Sequence, residues 1–122
     1  MALVTSHTLN GVDGTHACGI PVSLTRLDRT VSVLFETRMD KGGRLSQVID
    51  VGAADPNATY QLVFDTGSFW TERLAQARTG GIINQIVLRF QMPDPNGDYH
   101  MPVILSPNGY STWSSCLPAA VA

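Results

Sequence analysis

The sequence predicts an all-β domain, a two-sheet Greek-key sandwich of about eight strands with one short helix, and three observations predict it. Apolar and polar residues alternate with period two along most of the chain, clusters of Gly, Pro, Asn and Asp punctuate those runs, and helical spacing is confined to one stretch. Period two places alternate side chains on opposite faces of a strand, so each run has one face for a core and one for solvent or a partner. Short strands at this spacing, joined by tight turns, close into a sandwich through Greek-key or meander connections.

Each element follows from its own residues. The first strand runs from about Val4 to Leu9 and ends at Asn10-Gly11 and Asp13-Gly14, and Pro21 to Leu27 forms the second. In the third, Val31, Val33 and Phe35 alternate with Ser32, Leu34 and Glu36. Lys41-Gly42-Gly43 turns the chain into a fourth, Leu45 to Ile49; Asp55-Pro56-Asn57 precedes a fifth, where Tyr60, Leu62 and Phe64 alternate with Gln61, Val63 and Asp65. Thr66 or Ser68 can cap a helix from about Phe69 to Ala77, because Trp70, Leu74 and Ala77 share one face at helical spacing. Ile86, Leu88, Phe90 and Met92 alternate with Val87, Arg89 and Gln91 in the longest clean strand, which is expected to be central. After Pro93-Asp94-Pro95-Asn96-Gly97, two more strands, His100 to Ser106 and Tyr110 to Ser115, flank Pro107-Asn108-Gly109.

Composition narrows the function. A chain of 122 residues is expected to be one domain, 1–122, and at 43% hydrophobic and 15% charged residues it can bury a core. A domain this small keeps much surface per volume, so self-association into a homo-oligomer is expected. The net charge of -2, with single scattered Lys and Arg, makes nucleic acid an unlikely partner. No run approaches the ~20 apolar residues that span a bilayer, and the Met-Ala-Leu-Val-Thr start lacks the pattern of a signal peptide, so a cytoplasmic location and no membrane partner are expected. Cys18 and Cys116 lie far apart without ligand spacing, which reads as two free thiols, Cys116 being buried and inert.

The chemistry-bearing residues are few. His7 stands between Ser6 and Thr8, so one face of the first strand is polar where a core strand would be apolar; His100 opens an otherwise apolar strand; His16 sits in a turn-rich stretch and is expected to be exposed. A lone strand histidine is more often a hydrogen-bonded structural residue than a catalyst, and catalysis gains weight only if His7 and His100 meet. Arg44, directly after Gly42-Gly43, can offer its guanidinium fork to a planar anion or to carbonyl oxygens; the plain alternative is a solvated turn arginine. No His-x-x-x-His, His-x-His or neighbouring cysteine supports a metal, no cofactor is called for, and no G-x-S-x-G elbow supports a serine nucleophile. A water-activating acid/base site on a small molecule is the enzymatic option that remains.

Taken together, the motifs resemble the transthyretin-like family, in particular its branch that hydrolyses 5-hydroxyisourate. Val4-Thr5-Ser6-His7-Thr8-Leu9 is similar to that family's opening strand, Gly19-Ile20-Pro21-Val22 to its next, and Gly43-Arg44 to its turn arginine. Thr59-Tyr60-Gln61-Leu62-Val63-Phe64-Asp65-Thr66-Gly67 resembles the segment entering its single helix, Tyr99-His100-Met101-Pro102-Val103-Ile104-Leu105-Ser106-Pro107 its second histidine motif, and Gly109-Tyr110-Ser111-Thr112 the start of its last strand. The resemblance implies a transthyretin-like eight-stranded sandwich, a homotetramer built as a dimer of dimers with sites at a dimer interface, and a catalytic set that falls on His7, Arg44 and His100. It implies a hydrolase that opens the ring of 5-hydroxyisourate, or a similar cyclic imide, by water attack: one histidine, His7 in preference, helps deprotonate the water, His100 orients it or the substrate, and Arg44 clamps carbonyl oxygens.

The resemblance breaks at the end of the chain. Where these hydrolases finish with Tyr-Arg-Gly-Ser, the present chain has Trp113, Ser114, Ser115 and Cys116, the positions expected to bind substrate. A guanidinium is replaced by a hydroxyl and a glycine by a serine, which reshapes the pocket floor. Asp98 stands where the family often has another histidine, and Gly81-Ile82-Ile83 replaces an aromatic-proline stretch. Two other functions therefore remain open: the same site performing acid/base isomerisation, cyclisation or hydrolysis of another small molecule in specialised metabolism, and a non-enzymatic carrier of an apolar ligand. Three ionisable groups in one hollow argue against the carrier.

Overall fold

The computed structural model describes residues 1–28, 30–50, 54–74 and 81–118. Ten strands and one helix form there: β1 (Ala2–Asn10), β2 (Pro21–Leu27), β3 (Val31–Arg38), β4 (Arg44–Ile49), β5 (Thr59–Asp65), α1 (Gly67–Leu74), β6 (Gln85–Phe90), β7 (Asp98–His100), β8 (Val103–Ser106), β9 (Gly109–Thr112) and β10 (Ser115–Leu117). One sheet holds β4, β1, β7, β8, β9 and β10; the other has the order β3-β2-β5-β6. Their inner faces bury one apolar core that includes Val4, Leu24, Tyr60, Leu62, Phe64, Ile86, Met101, Val103 and Leu105.

β1 organises the first sheet. It pairs antiparallel with β4 on one edge, while on the other β7 takes Leu3 to Thr5 and β8 takes Thr8 to Asn10, both parallel. β10 then flanks β7 and β9 flanks β8. The expected single strand from His100 to Ser106 is thus divided at Met101-Pro102, because proline has no N–H to give to a ladder. The expected last strand is also divided, at Trp113-Ser114, between β9 and β10.

Inward positions of β1 are not all apolar. Ser6 and Thr8 are buried, and each finds an acceptor: Ser6 Oγ donates to the Met101 carbonyl at 2.7 Å and Thr8 Oγ1 to the Ala17 carbonyl at 2.7 Å. A buried hydroxyl without a partner would cost about 1–3 kcal/mol, so the polar residues beside His7 are structural ties between β1 and the segments that follow it. The polar face expected from them is the inner one, and His7 lies on the other.

Three expectations are corrected, two by sheet order and register and one by exposure. The strand expected to be central, Ile86 to Met92, is β6 at an edge, bonded to β5 alone. Alternation reports that one face is buried and carries nothing about how many neighbours a strand has. In β3 the ladder slips so that Leu24 faces Phe35 while Thr25 faces Val33, leaving Leu34 as the extra residue of a bulge. Val33 therefore turns outward, 57% exposed, although it alternates cleanly with Phe35 in sequence. Cys116, expected to be buried, is exposed, and so is Cys18; both are free thiols.

The helix begins as expected after Thr66, whose carbonyl accepts from the Trp70 N–H at 3.3 Å. Its side-chain oxygen is buried without a hydrogen-bond partner, so Thr66 caps through its backbone only. Phe69 and Trp70 pack edge to face into the core, their ring centroids 4.9 Å apart. The expected reach of this helix to Ala77, and the side chain of Leu74, lie outside the described residues.

Candidate active site

The site is built on the outward face of β1. Odd-numbered residues from Leu3 to Leu9 point away from the core and are half-buried, among them Thr5 and His7. Because directly opposed residues on neighbouring strands share a face, the register fixes their company: His7 lies opposite Arg44 on β4, and Thr5 lies opposite His100 on β7. His100 in turn lies opposite Ser115 on β10. Adjacent rungs of one face thus carry Arg44 and His7 on the first, and Thr5, His100 and Ser115 on the second. With strands ~4.8 Å apart and a two-residue step of ~6.8 Å, the Cα atoms of His7 and His100 are separated by roughly 8 Å, within reach of two imidazoles directed at one small molecule. The three residues expected from sequence to be catalytic are brought together.

Arg44 is held by the turn expected at Lys41-Gly42-Gly43, through Asp40, a residue that sequence reading passed over. Asp40 Oδ1 accepts from the N–H groups of Gly42 at 2.9 Å and Arg44 at 2.8 Å, and the Asp40 N–H donates to the Arg44 carbonyl at 3.0 Å. This Asx turn delivers the chain into β4 at the rung of His7. Gly43 has φ 68°, and a Cβ there would lie 2.5 Å from the Thr8 carbonyl oxygen, so only glycine lets the turn sit against β1. The arrangement is closed by the Thr8 N–H, which donates to the Gly43 carbonyl at 2.7 Å. The Arg44 side chain itself remains exposed on the open face.

His100 is oriented from β1. Its Nδ1 lies 2.8 Å from Thr5 Oγ1, and that hydroxyl is 3.4 Å from the Tyr99 carbonyl. A hydroxyl turned toward the carbonyl accepts the hydrogen of Nδ1, which leaves the lone pair of His100 on Nε2. Thr5 was not among the residues singled out from sequence.

A third imidazole joins the site from a segment expected only to be exposed. His16 is exposed, and its Nδ1 lies 2.8 Å from His7 Nε2, with the rings stacked at 4.9 Å between centroids. After the turn at residues 11–15 the chain returns beside β1, where His16 bridges Leu9; His16 therefore shares the outward face one step diagonal to His7. The signal that could have found it was the pair of turn motifs Asn10-Gly11 and Asp13-Gly14, which fold the chain back within reach of the first strand.

These neighbours set the electrostatics. His7 is held below its ordinary imidazole value of 6.5, chiefly by burial, then by the Arg44 guanidinium and His16, with a smaller push from His100; the Gly42 carbonyl, accepting its hydrogen bond, works in the opposite direction. A neutral imidazole with an available lone pair beside a permanent cation can accept a proton from water, while the cation and the second imidazole face charge that develops on an oxygen. Among the described residues no group of three His, Cys, Asp or Glu side chains could hold a metal ion.

The four C-terminal positions expected to bind substrate divide. Ser115 joins the His100 rung, whereas Cys116 pairs with buried Tyr99 on the opposite face. Ser114, Ser115 and Cys116 line a hollow of about 170 Å³ with Phe90, Tyr99 and Met101, and Trp113 is 55% exposed where the chain passes between β9 and β10.

Comparison with known proteins agrees with the fold. The model of the HIUase/Transthyretin family matches residues 4–114. A 5-hydroxyisourate hydrolase of Pseudomonas aeruginosa is 31% identical over 114 residues, spanning 93% of this chain and 90% of that protein. The 5-hydroxyisourate hydrolase 2 of Rhizobium meliloti is 32% identical over 111 residues, spanning 90% and 92%. Among solved structures, the 5-hydroxyisourate hydrolase of Klebsiella pneumoniae superposes with a TM-score of 0.72 at 25% identity, covering 94% of this chain and 99% of that one. Transthyretin from Sparus aurata, at 21% identity, shares the fold with a TM-score of 0.78 over 93% and 96% of the two chains.

Proposed function

The chain belongs to the HIUase/Transthyretin family, and from that premise we propose that it is a hydrolase that opens the ring of 5-hydroxyisourate by water attack at the face of β1. The observation that carries this reading is the register of β1, which sets His7 opposite Arg44 and Thr5 opposite His100 on one open face. The relatives that share most of the chain are 5-hydroxyisourate hydrolases, which supports the substrate.

Each step falls to a residue with the chemistry for it. The substrate's carbonyl oxygens lie against the Arg44 guanidinium, a planar fork of donors. A water held between the imidazoles attacks the ring carbonyl carbon; its proton passes to the His7 side of the hollow as the new C–O bond forms. His100, its Nδ1 anchored on Thr5, orients the water and the substrate through its other nitrogen. As the tetrahedral carbon forms, charge grows on the former carbonyl oxygen, and Arg44 stabilises it in place. The ring C–N bond then breaks, and the leaving nitrogen takes back the proton, so the imidazoles end as they began. Ser115, on the His100 rung, contacts the substrate at the C-terminal side.

The molecule is a homotetramer, a dimer of dimers, in the cytoplasm. Tyr110, Trp113 and Leu117 on β9 and β10 and the segment between them are 45%, 55% and 66% exposed, apolar area that a second copy would cover. Among the described residues no helix is long and apolar enough to cross a membrane. Sedimentation should give four times the 13.2 kDa chain mass.

A second reading keeps the same three residues for acid/base isomerisation, cyclisation or hydrolysis of another small molecule, and the Trp113-Ser114-Ser115-Cys116 end favours it, since a hydroxyl at Ser114 cannot supply the charge of an arginine. One experiment separates the two. Freshly generated 5-hydroxyisourate should lose its ultraviolet absorbance faster with the protein present. Unaccelerated decay with folded tetramer would remove 5-hydroxyisourate and leave the second reading.

A further inference from the structure

His16 is the one imidazole of the site that the proposed reaction leaves without a part, and its placement is not casual. Its backbone is pinned on both sides: the Asn10 N–H donates to the Thr15 carbonyl at 2.8 Å and the Ala17 N–H to the Thr8 carbonyl at 2.9 Å. Asp13 Oδ1 closes the loop by accepting from the Thr15 N–H at 3.0 Å and from Thr15 Oγ1 at 2.6 Å. The ring is thereby carried by the same strand ladder that carries His7, and no separate ordering is needed to bring the two together.

We propose that His16 is a positioning residue for His7, the two imidazoles acting as one proton-sharing pair in which His16 fixes which nitrogen of His7 bears a hydrogen. The inference rests on the hydrolase reading above for its catalytic meaning, and on geometry for the pair itself. At 2.8 Å the facing nitrogens, His7 Nε2 and His16 Nδ1, have room for a single hydrogen between them. Two facing N–H groups would collide, so the pair takes up one extra proton and resists a second. With that hydrogen on His7 Nε2 and His16 Nδ1 accepting it, the other nitrogen of His7 keeps the lone pair that takes the proton of water, and the Gly42 carbonyl favours His7 once it is charged. His7 Nε2 is then the donor and His16 Nδ1 the acceptor.

The groups facing the pair sharpen this order. Arg44 from β4, His100 from β7 and the Gly42 carbonyl from the turn act on His7 together with His16. Three of the four, His16 among them, disfavour a charge on His7, so the pair gives up the incoming proton readily to the leaving nitrogen. During hydrolysis the proton released by water enters the pair as the C–O bond forms and leaves it for the ring nitrogen as the C–N bond breaks. The count of protons on the pair is the same before and after.

The test uses the whole protein, with His16→Ala and His16→Asn beside the wild type. Asn places an amide near the position of Nδ1, so it can hold the tautomer of His7, yet it cannot titrate. The His7 ring resonances are followed by NMR against pH, and kcat and kcat/KM for 5-hydroxyisourate are followed over the same range. In His16→Ala the His7 midpoint should move up toward 6.5, the acid limb of kcat/KM should follow by the same amount, and kcat should fall on the order of tenfold. In His16→Asn kcat should return to within about threefold of the wild type while the acid limb stays at its shifted position. A His7 titration and acid limb unchanged in His16→Ala would overturn the pair, and so would equal kcat losses in both variants. The NMR arm needs no turnover: a shifted His7 midpoint in a protein inactive on 5-hydroxyisourate would keep the pair and remove only the substrate.

Discussion

The outer faces of the two sheets are chemically unlike. On the β4-β1-β7-β10 side, consecutive rungs hold Arg44 with His7 and then His100 with Ser115. On the β3-β2-β5-β6 side, the corresponding rungs hold Glu36, Ser23, Val63 and Val87, and then Val33, Thr25, Gln61 and Arg89. That second face has a hollow of about 270 Å³, larger than the one beside Tyr99, but it is lined by Glu36 and Asp65 with no cation or imidazole among its described residues. Its one arginine on the rung is occupied, since Arg89 Nε donates to Gln61 Oε1 at 2.9 Å. A carbonyl under attack by water needs a lone-pair base and a donor for the oxyanion; carboxylates alone supply no such donor. Size therefore does not mark the site, and the pairing of complementary groups across strands does.

The contrast can be broken most directly by truncation. Arg44→Ala and His100→Ala should each lower kcat/KM on the order of a hundredfold or more, the scale of a lost oxyanion donor or acid/base group. Gln61→Ala and Glu36→Ala, on the outer face of the other sheet, should change it less than about twofold. If the second pair of variants matched the first, the two faces would have no functional difference.

Next in size is the turn that aims Arg44. Gly43→Ala forces a Cβ to 2.5 Å from the Thr8 carbonyl oxygen at a positive φ, and should cost about 1–3 kcal/mol of stability by chemical denaturation. Because the strain shifts Arg44 on its rung, activity should fall along with it. The same substitution at Gly14, with φ 77° but nothing within 4 Å of the added carbon, should cost less and spare turnover.

The pH dependence follows from the sign of the shift at His7. A base must be neutral to accept a proton, and burial with Arg44 holds His7 below 6.5. Activity should thus be full above pH 6.5 and be lost as pH falls through the lower folded value. Arg44→Gln, which removes the neighbouring charge, should move that acid limb upward even as it lowers the rate. Linkage runs the same way: protons bind the unfolded chain more readily there, so stability also declines below about pH 6.5, and His7→Asn should flatten that decline. The smallest effect is expected at the C-terminal edge, where Ser115→Gly should alter KM by about two- to fivefold with kcat nearly constant, on the scale of one ~0.5–1 kcal/mol contact.

Much of the site was legible before any coordinates. His7, Arg44 and His100 stood out because strands that should be apolar carried ionisable groups, and because their order along the chain resembled one family. Thr5, Asp40 and His16 did not stand out, each for a physical reason. Thr5 is an ordinary strand residue until His100, 95 positions away, comes to lie 2.8 Å from it. Asp40 is an ordinary turn residue until its carboxylate is seen to gather two N–H groups. His16 depends on how tightly the loop folds back, which turn residues permit and do not dictate. The fold shows the same division. The run from Ile86 to Met92 reads correctly as a strand with one buried face and incorrectly as central, and Val33 is drawn outward by a bulge that alternation cannot reveal.

By itself the sequence determined what is local: the period-two runs that become strands, the glycine and aspartate turns between them, and the small set of ionisable residues able to do acid/base work. Tertiary structure alone decided which strand lies beside which, and hence that β1 has Arg44 on one side and His100 on the other. The reason is that alternation arises from the geometry of one chain segment with its own neighbours, whereas strand order and register are settled by the joint burial of two sheet faces, a property no single segment possesses.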